Sequence, residues 1–138
     1  MRRFVERLLD THVWLWWLTG APGLRKRERE TLDKLAVREL PFIAAISMWE
    51  AEMLVSRGRL VPAEPFDPWI RRMTAPDTVR ILPFDADVIV SLHALPKSFH
   101  GDPADRLIVA TGRAHGLSLA TRDSAIRRSR LVRIWEPL

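Results

Sequence analysis

Apolar and polar positions change period repeatedly along the chain, which predicts strands that alternate with helices. Short apolar runs bounded by turn residues predict strands at residues 4–9, 41–45, 78–82 and 117–120, and a last short strand at residues 131–134. Helical spacing and helix-start signals predict helices at residues 12–19, 24–38, 47–57, 66–73, 85–95 and 103–115, and a helical turn at residues 124–128. This alternation favours an α/β fold of three layers, α/β/α, with a parallel central sheet of four to five strands.

Length and composition set the next limits. A chain of 138 residues predicts one domain over residues 1–138, and 47% hydrophobic with 28% charged residues is ordinary for a globular protein. The absence of cysteine excludes disulfides, thiolate zinc sites and a cysteine nucleophile, and is compatible with the cytoplasmic location that we expect. The longest apolar run near the N-terminus, residues 13–18, is too short for a signal core, so we expect no membrane segment there.

Four acidic residues stand where the predicted elements meet. Asp10 and Asp123 follow apolar strands, Glu50 lies in the first turn of a helix entered from a strand, and Asp105 opens a long apolar helix. In a parallel sheet, the crevice beyond the carboxyl ends of the strands, where the strand order reverses, is the usual ligand site. Carboxylates gathered there predict a pocket for a hard cation such as Mg²⁺ or Mn²⁺.

Most of these acids also have a plain structural explanation as helix caps. Ser47 and Glu50 have the spacing of a capping box. Asp102 and Asp105 fit the N-cap and third positions of a helix, and Asp123 fits the N-cap of the turn that follows it. For Glu50, Asp105 and Asp123 taken singly, capping is the simpler explanation.

Asp10 is harder to explain by capping alone. It ends a buried strand, where an unpaired carboxylate costs stability or loses its charge. No lysine lies within 15 residues of it in the sequence. A cation, a serine or threonine hydroxyl, or the amides of a helix N-terminus must therefore compensate its charge.

The chain is basic, with a net charge of +5. The last 17 residues contain five arginines against two acids: Arg122, Arg127, Arg128, Arg130 and Arg133 against Asp123 and Glu136. A basic surface beside an acidic pocket suits a polyanionic substrate. A solvated arginine-rich face is the alternative interpretation.

Four segments, in this order, resemble the PIN-domain family, and within it the VapC-like and FitB-like toxin ribonucleases of bacterial toxin–antitoxin pairs. They are Leu8-Leu9-Asp10-Thr11-His12-Val13-Trp14-Leu15-Trp16, Ser47-Met48-Trp49-Glu50, Asp102-Pro103-Ala104-Asp105-Arg106-Leu107-Ile108-Val109-Ala110 and Thr121-Arg122-Asp123. The resemblance extends over nearly the whole chain and implies a PIN-like fold.

The resemblance also implies a role for each acid. Asp10 corresponds to a direct Mg²⁺ ligand, Glu50 to the second acid, Asp105 to a third acid close to the metal, and Asp123 to a fourth that often acts through water. The implied activity is Mg²⁺- or Mn²⁺-dependent endonucleolytic hydrolysis of RNA. The implied partners are a cognate antitoxin and a second copy of the chain in a homodimer.

Two residues beside the fourth acid are further candidates. By the same resemblance, Thr121 corresponds to a small hydroxyl residue that lines the pocket. Arg122, with Arg127 and Arg128, is a candidate contact to RNA phosphates or to an acidic antitoxin tail. A solvated face is the alternative for these arginines.

Three other functions remain as alternatives. A catalytically silent PIN-like module would bind RNA or protein without cleaving RNA. A phosphatase of the haloacid dehalogenase kind needs a second Asp two residues after the first, where this chain has His12. A response regulator needs an acid pair at the end of the first strand and a late lysine, but Leu8 and Leu9 precede Asp10 and no lysine follows Lys97.

The histidines and tryptophans could each have a structural or a functional role. His12 is expected to be a hydrogen-bonded structural residue, and His100 to be exposed in a loop. The cluster in the first helix, Trp14, Trp16 and Trp17, is expected in the core or in an oligomer contact rather than stacked on RNA bases. Trp49 and Trp69 are candidates for a hydrophobic groove that holds an antitoxin helix.

Overall fold

The computed structural model describes residues 6–99 and 101–136. Within them the strands are β1 (Arg7–Leu9), β2 (Phe42–Ala44), β3 (Arg80–Leu82) and β4 (Ser118–Ala120). The helices are α1 (Thr11–Thr19), α2 (Lys26–Arg38), α3 (Ala45–Ser56), α4 (Phe66–Met73), α5 (Ala86–Ala94), α6 (Pro103–His115) and α7 (Ser124–Ser129). The beginning of the first predicted strand, residues 4–5, and His100 lie outside the described residues.

The four strands form one parallel sheet in the order β3-β2-β1-β4. Leu8 of β1 pairs with Phe42 on one side and with Leu119 on the other. The chain builds outward from β1 through β2 to β3 and then crosses back to the far side of β1. The strand order therefore reverses between β1 and β4, which opens a crevice beyond their carboxyl ends.

Successive residues of the strands enter two separate cores. Leu8 and Leu119 pack with Ile108 of α6 on one face of the sheet. Leu9 and Ile43 pack with Trp14 of α1 on the other face. Because both faces are covered by helices, the strands are apolar throughout most of their length, and the predicted α/β/α arrangement is confirmed.

The predicted last strand, residues 131–134, is reduced to a single bridge between Leu119 and Ile134. The Leu119 N–H donates to the Arg133 carbonyl at 2.8 Å, and the Trp135 N–H donates to the Leu119 carbonyl at 2.8 Å. Bends at residues 131 and 132 leave too little extended backbone for a longer ladder.

Helices α2 and α6 each have 13 residues. In the part of the chain that the structure describes, no helix has both the length and the apolar character needed to cross a lipid bilayer.

Candidate active site

A cleft of about 420 Å³ lies beyond the carboxyl ends of β1 and β4. Five acidic side chains line it: Asp10, Glu50, Asp102, Asp105 and Asp123. They come from the N-termini of α1, α6 and α7 and from α3. The four acids predicted from the sequence are thus brought together in one cleft, and Asp102 lies with them.

Asp10 is fixed from two sides at the end of β1. It is the N-cap of α1, where its Oδ1 accepts the Val13 N–H at 2.9 Å. Its Oδ2 accepts a hydrogen bond from the Thr121 hydroxyl. The side chain is only 8% exposed, and this burial raises its pKa, although the bonds from Thr121 and Val13 act in the opposite direction.

Thr121 joins the first acid to the fourth. Besides donating to Asp10, the buried Thr121 hydroxyl accepts the Asp123 N–H at 3.0 Å. Asp123 in turn caps α7 by accepting the Ile126 N–H at 2.9 Å. Thr121 therefore lies behind the cleft and positions two of its carboxylates, whereas Asp123 acts as both cap and cleft residue.

Glu50 is held by a different contact from the one that its spacing predicts. Helix α3 begins at Ala45 with Ala44 as N-cap, so Ser47 lies inside the helix and the predicted capping box is wrong. The Thr11 hydroxyl donates to Glu50, and it lies 2.8 Å from the Ser47 hydroxyl. Burial raises the pKa of Glu50, against the hydrogen bond from Thr11, which lowers it.

The start of α6 supplies the remaining acids. Asp102 is the N-cap, as predicted, and accepts the Ala104 N–H at 2.9 Å and the Asp105 N–H at 3.3 Å. Asp105 follows in the first turn. Its burial, together with the negative charges of Asp102, Asp123 and the other cleft acids, raises the pKa of Asp105 to about 7.

The rest of the cleft wall is formed by Thr11, His12, Trp16, Ile108 and Arg122. Arg122 donates to Glu28, which is 7% exposed. Glu28 also accepts the Arg25 N–H at 2.8 Å at the start of α2. Sequence reasoning missed Glu28; its signal is an acid at the third position of a helix, but that signal indicates a cap and not a distant arginine partner.

His12 is exposed and lines the cleft, so the prediction of a hydrogen-bonded structural histidine is wrong. Its ring lies against Trp16, with 5.6 Å between ring centres and an angle of 46°. Trp14 and Trp17 are buried, as predicted. Their indole N–H groups donate to the Met73 carbonyl at 3.0 Å and to Asp33 Oδ1 at 2.8 Å.

The predicted groove between Trp49 and Trp69 is not formed, because Trp69 is 2% exposed and belongs to the core. Trp49 is 52% exposed. Among the predicted basic contacts, Arg127 donates to the Thr121 carbonyl and pairs with Glu136 at 3.1 Å, whereas Arg128 is exposed.

The donors of the cleft fit a hard divalent cation. Carboxylate oxygens, with the Thr11 hydroxyl, are the ligand type that Mg²⁺ and Mn²⁺ prefer. Within residues 6–99 and 101–136, no group of three Asp, Glu or His side chains is already arranged to hold a metal ion. Asp10 and Glu50 accept hydrogen bonds from their neighbours. Burial raises the pKa of Asp10, Glu50 and Asp105, and the neighbouring carboxylates add to that rise, so a cation in the cleft would favour their ionised forms.

Comparison with known proteins identifies the family. Residues 7–130 match the PIN domain. The chain belongs to the PIN-domain family. It is 37% identical to Ribonuclease VapC22 of Mycobacterium tuberculosis over 134 residues, which cover 93% of this chain and 97% of that protein. The resemblance identified in the sequence is confirmed.

Two solved structures share the fold. The structure of FitAcB from Neisseria gonorrhoeae is 26% identical with a TM-score of 0.66, over 95% of this chain and 97% of that one. VapBC2 from Rickettsia felis, bound to a DNA fragment from their promoter, is 17% identical with a TM-score of 0.71, over 95% of this chain and 98% of that one. The latter likeness concerns the fold alone.

Proposed function

We propose that this PIN-domain chain is a divalent-metal-dependent endoribonuclease and the toxin of a toxin–antitoxin pair. One observation carries the proposal: four acids that are far apart in sequence converge on one cleft at the strand-order reversal. The 37% identity to a ribonuclease along almost the whole chain supports RNA as the substrate.

In this proposal, Asp10, Glu50, Asp105 and Asp123 hold Mg²⁺ or Mn²⁺. When bound, the cation would supply a water of lowered pKa and positive charge beside the scissile phosphate. Asp10 and Asp123 are held in place by Thr121, and Glu50 is held by Thr11.

Asp105 is the carboxylate that we assign to proton transfer. It is half-buried, and in the metal-free fold its pKa is about 7. It would take the proton from the attacking water, the resulting hydroxide would displace the 3′ or 5′ oxygen of the phosphodiester, and a solvent water would return a proton to the oxygen that leaves. Arg122, anchored by Glu28, would contact a phosphate oxygen at the edge of the cleft.

The partners follow from the same proposal. The 26% identity to FitAcB, together with the resemblance of the sequence to toxins of toxin–antitoxin pairs, supports a cognate antitoxin that neutralises this chain. We propose that residues 1–138 form a single domain that works in the cytoplasm as a homodimer. The exposed Trp49 is a candidate contact for the antitoxin.

The testing experiment is cleavage of single-stranded RNA by the purified chain with Mg²⁺ or Mn²⁺. We expect cleavage that EDTA abolishes and that Asp10→Asn reduces at least about 100-fold, since the amide cannot replace an anionic metal ligand. Asn preserves the acceptor for the Val13 N–H, so the cap survives.

Asp85→Asn is the matched control. Asp85 caps α5 by accepting the Val88 N–H at 3.0 Å and lies outside the cleft lining. It should cleave like the parent. Absence of cleavage across varied RNAs, with no rise in melting temperature on addition of metal, would instead favour the catalytically silent binding module.

A further inference from the structure

We propose that His12 and Trp16 form a nucleobase platform beside the catalytic carboxylates, on which an unpaired base of single-stranded RNA stacks. This inference rests on the proposed ribonuclease function and specifies an unpaired base as the part of the substrate that the cleft recognises. The two residues are four apart on α1, so they share one face of that helix, and both line the acidic cleft.

The indole of Trp16 is braced from behind. A Cβ atom at Gly23 would lie 2.2 Å from the Trp16 ring, so only glycine lets the backbone pack this closely against the indole. On another side the His12 ring contacts the indole at 5.6 Å between centres. Trp16 is nevertheless half-buried rather than buried, and it faces the cleft. The indole is therefore confined by Gly23 and His12, while part of the Trp16 side chain stays exposed to the cleft.

The neighbouring tryptophans show what a purely structural role looks like in this helix. Trp14 and Trp17 are buried and each donates its indole N–H to a protein oxygen. Within the described residues, the indole N–H of Trp16 makes no such bond. A second tilted pair, Phe66 and Trp69, has similar geometry at 6.0 Å and 44°, but Trp69 is buried in the core. Accessibility inside the cleft distinguishes the His12–Trp16 pair.

The charge of the cleft explains why such a platform is needed. Five carboxylates repel RNA phosphates, and among the described residues that line the cleft only His12 and Arg122 carry basic groups. Arg122 is anchored by Glu28, and the phosphate contact assigned to it lies at the edge of the cleft. A base has no charge and an aromatic face, so stacking on Trp16 and His12 holds the strand without competing with the carboxylates for cations. Single-stranded RNA offers such a base freely, whereas a paired base must first be unstacked.

The test is binding of fluorescently labelled RNA to the full chain, with Ca²⁺ as the cation, under conditions in which gel analysis shows the RNA to be intact. One probe is a single strand of about ten nucleotides of mixed sequence. The other has the same backbone with abasic riboses. Trp16→Ala and His12→Ala should each weaken binding of the intact strand by about 5- to 100-fold and leave binding of the abasic strand unchanged.

Three further variants make the result specific. Trp16→Phe keeps a ring against Gly23 and should retain most of the affinity. Trp49→Ala and His93→Ala remove exposed residues of the same types outside the cleft and should bind both probes like the parent. In cleavage assays with Mg²⁺, the platform variants should raise KM with little change in kcat. Because His12 is exposed, His12→Ala tests the platform without disturbing the core.

Two results would overturn the platform alone: intact-strand binding by His12→Ala and Trp16→Ala equal to that of the parent, or equal losses for the intact and abasic strands. In either case the parent would still cleave RNA with metal. A parent chain that neither binds nor cleaves RNA would overturn the proposed function and the platform with it.

Discussion

At the amino end of the sheet, arginines meet hydrogen-bond acceptors and aromatic faces. Arg7, at the start of β1, is 2% exposed; it donates to the Glu39 carbonyl at 3.2 Å and lies 5.9 Å from the Trp135 ring centre. Arg80, at the start of β3, pairs with the Glu39 carboxylate at 3.1 Å and lies over the Phe42 ring at 4.1 Å.

At the carboxyl end of the same strands, carboxylates meet one another. Asp10, Glu50 and Asp105 all have raised pKa values, with burial as the largest cause in each case. Hydroxyl and amide donors compensate them in part, because Thr121 and Val13 donate to Asp10 and Thr11 donates to Glu50. At the amino end, Arg7 and Arg80 donate to nearby acceptors. Among the described residues that line the cleft, Arg122 is the one arginine.

The difference indicates two uses of buried charge in one small sheet. Contacts to acceptors and rings offset part of the cost of burying an arginine, whereas an unbalanced cluster of like charges opposes the fold and persists where function requires it. Without a metal, the carboxylates at the carboxyl end are expected to lower the free energy of unfolding, and a bound cation is expected to raise it again.

The largest expected effect concerns pH and metal binding at the carboxyl end. The pKa of Asp105 is about 7 in the fold against an ordinary value of 3.8. Because the fold favours protonated Asp105, this group contributes stability to the metal-free fold that is fully present below pH 3.8. The contribution is lost as the pH rises towards 7. A cation requires the ionised carboxylate, so Mn²⁺ affinity should fall roughly 50-fold between pH 7 and pH 5.

Calorimetric titration with Mn²⁺ at several pH values would measure this dependence. Asp105→Asn should bind more weakly at pH 7 and should show a flatter pH profile, since the titrating group is gone. Equal Mn²⁺ affinity of the parent at pH 5 and pH 7 would mean that Asp105 is not part of the metal site.

The next effect is on stability at the amino end. Arg7→Met keeps the length and apolar stem of the side chain but removes the bond to the Glu39 carbonyl and the contact with Trp135. We expect a loss of about 1–3 kcal/mol in the free energy of unfolding, because a partly buried acceptor loses its charged donor. Urea denaturation measures this change, while kcat for RNA cleavage should stay at the parent value.

Arg133→Met is the matched control, since Arg133 is exposed. It should leave the free energy of unfolding within about 0.5 kcal/mol of the parent. A large fall in kcat for Arg7→Met, with the protein still folded, would contradict the division between a stabilising end and a catalytic end.

The sequence predicts this division only in part. Acids that follow apolar strands indicate a cleft in a parallel sheet, and the structure gathers Asp10, Glu50, Asp105 and Asp123 there. Local patterns also predict the caps formed by Asp102 and Asp123. These features depend on neighbours in the sequence or on a general property of parallel sheets, so a single chain contains enough information to find them.

Contacts between distant segments are what the sequence does not predict. The Ser47–Glu50 spacing indicates a cap, but the partner of both side chains is Thr11 from another element. Glu28 pairs with Arg122 across 94 positions. His12 is exposed and Trp69 is buried, each contrary to expectation, because exposure depends on which helices pack over α1 and α4. No local period carries that information.

The smallest expected effect separates positioning from fold stability at the carboxyl end. Thr121→Val removes the hydroxyl that donates to Asp10 and accepts the Asp123 N–H, and it keeps the β-branched shape in a fully buried position. We expect a loss of about 1 kcal/mol in the free energy of unfolding and a fall in kcat of about tenfold, because two proposed metal ligands lose their shared support. Denaturation and cleavage kinetics measure the two quantities separately.

Thr74→Val is the matched control for this prediction. Its hydroxyl donates to the Ile70 carbonyl at 2.7 Å at the end of α4, outside the cleft. It should cost similar or less stability and leave kcat unchanged, because it supports only a helix end. If Thr121→Val and Thr74→Val reduced kcat equally, the hydroxyl of Thr121 would contribute to the fold and not to the arrangement of the carboxylates. The carboxyl end would then resemble the amino end more closely than its charges suggest.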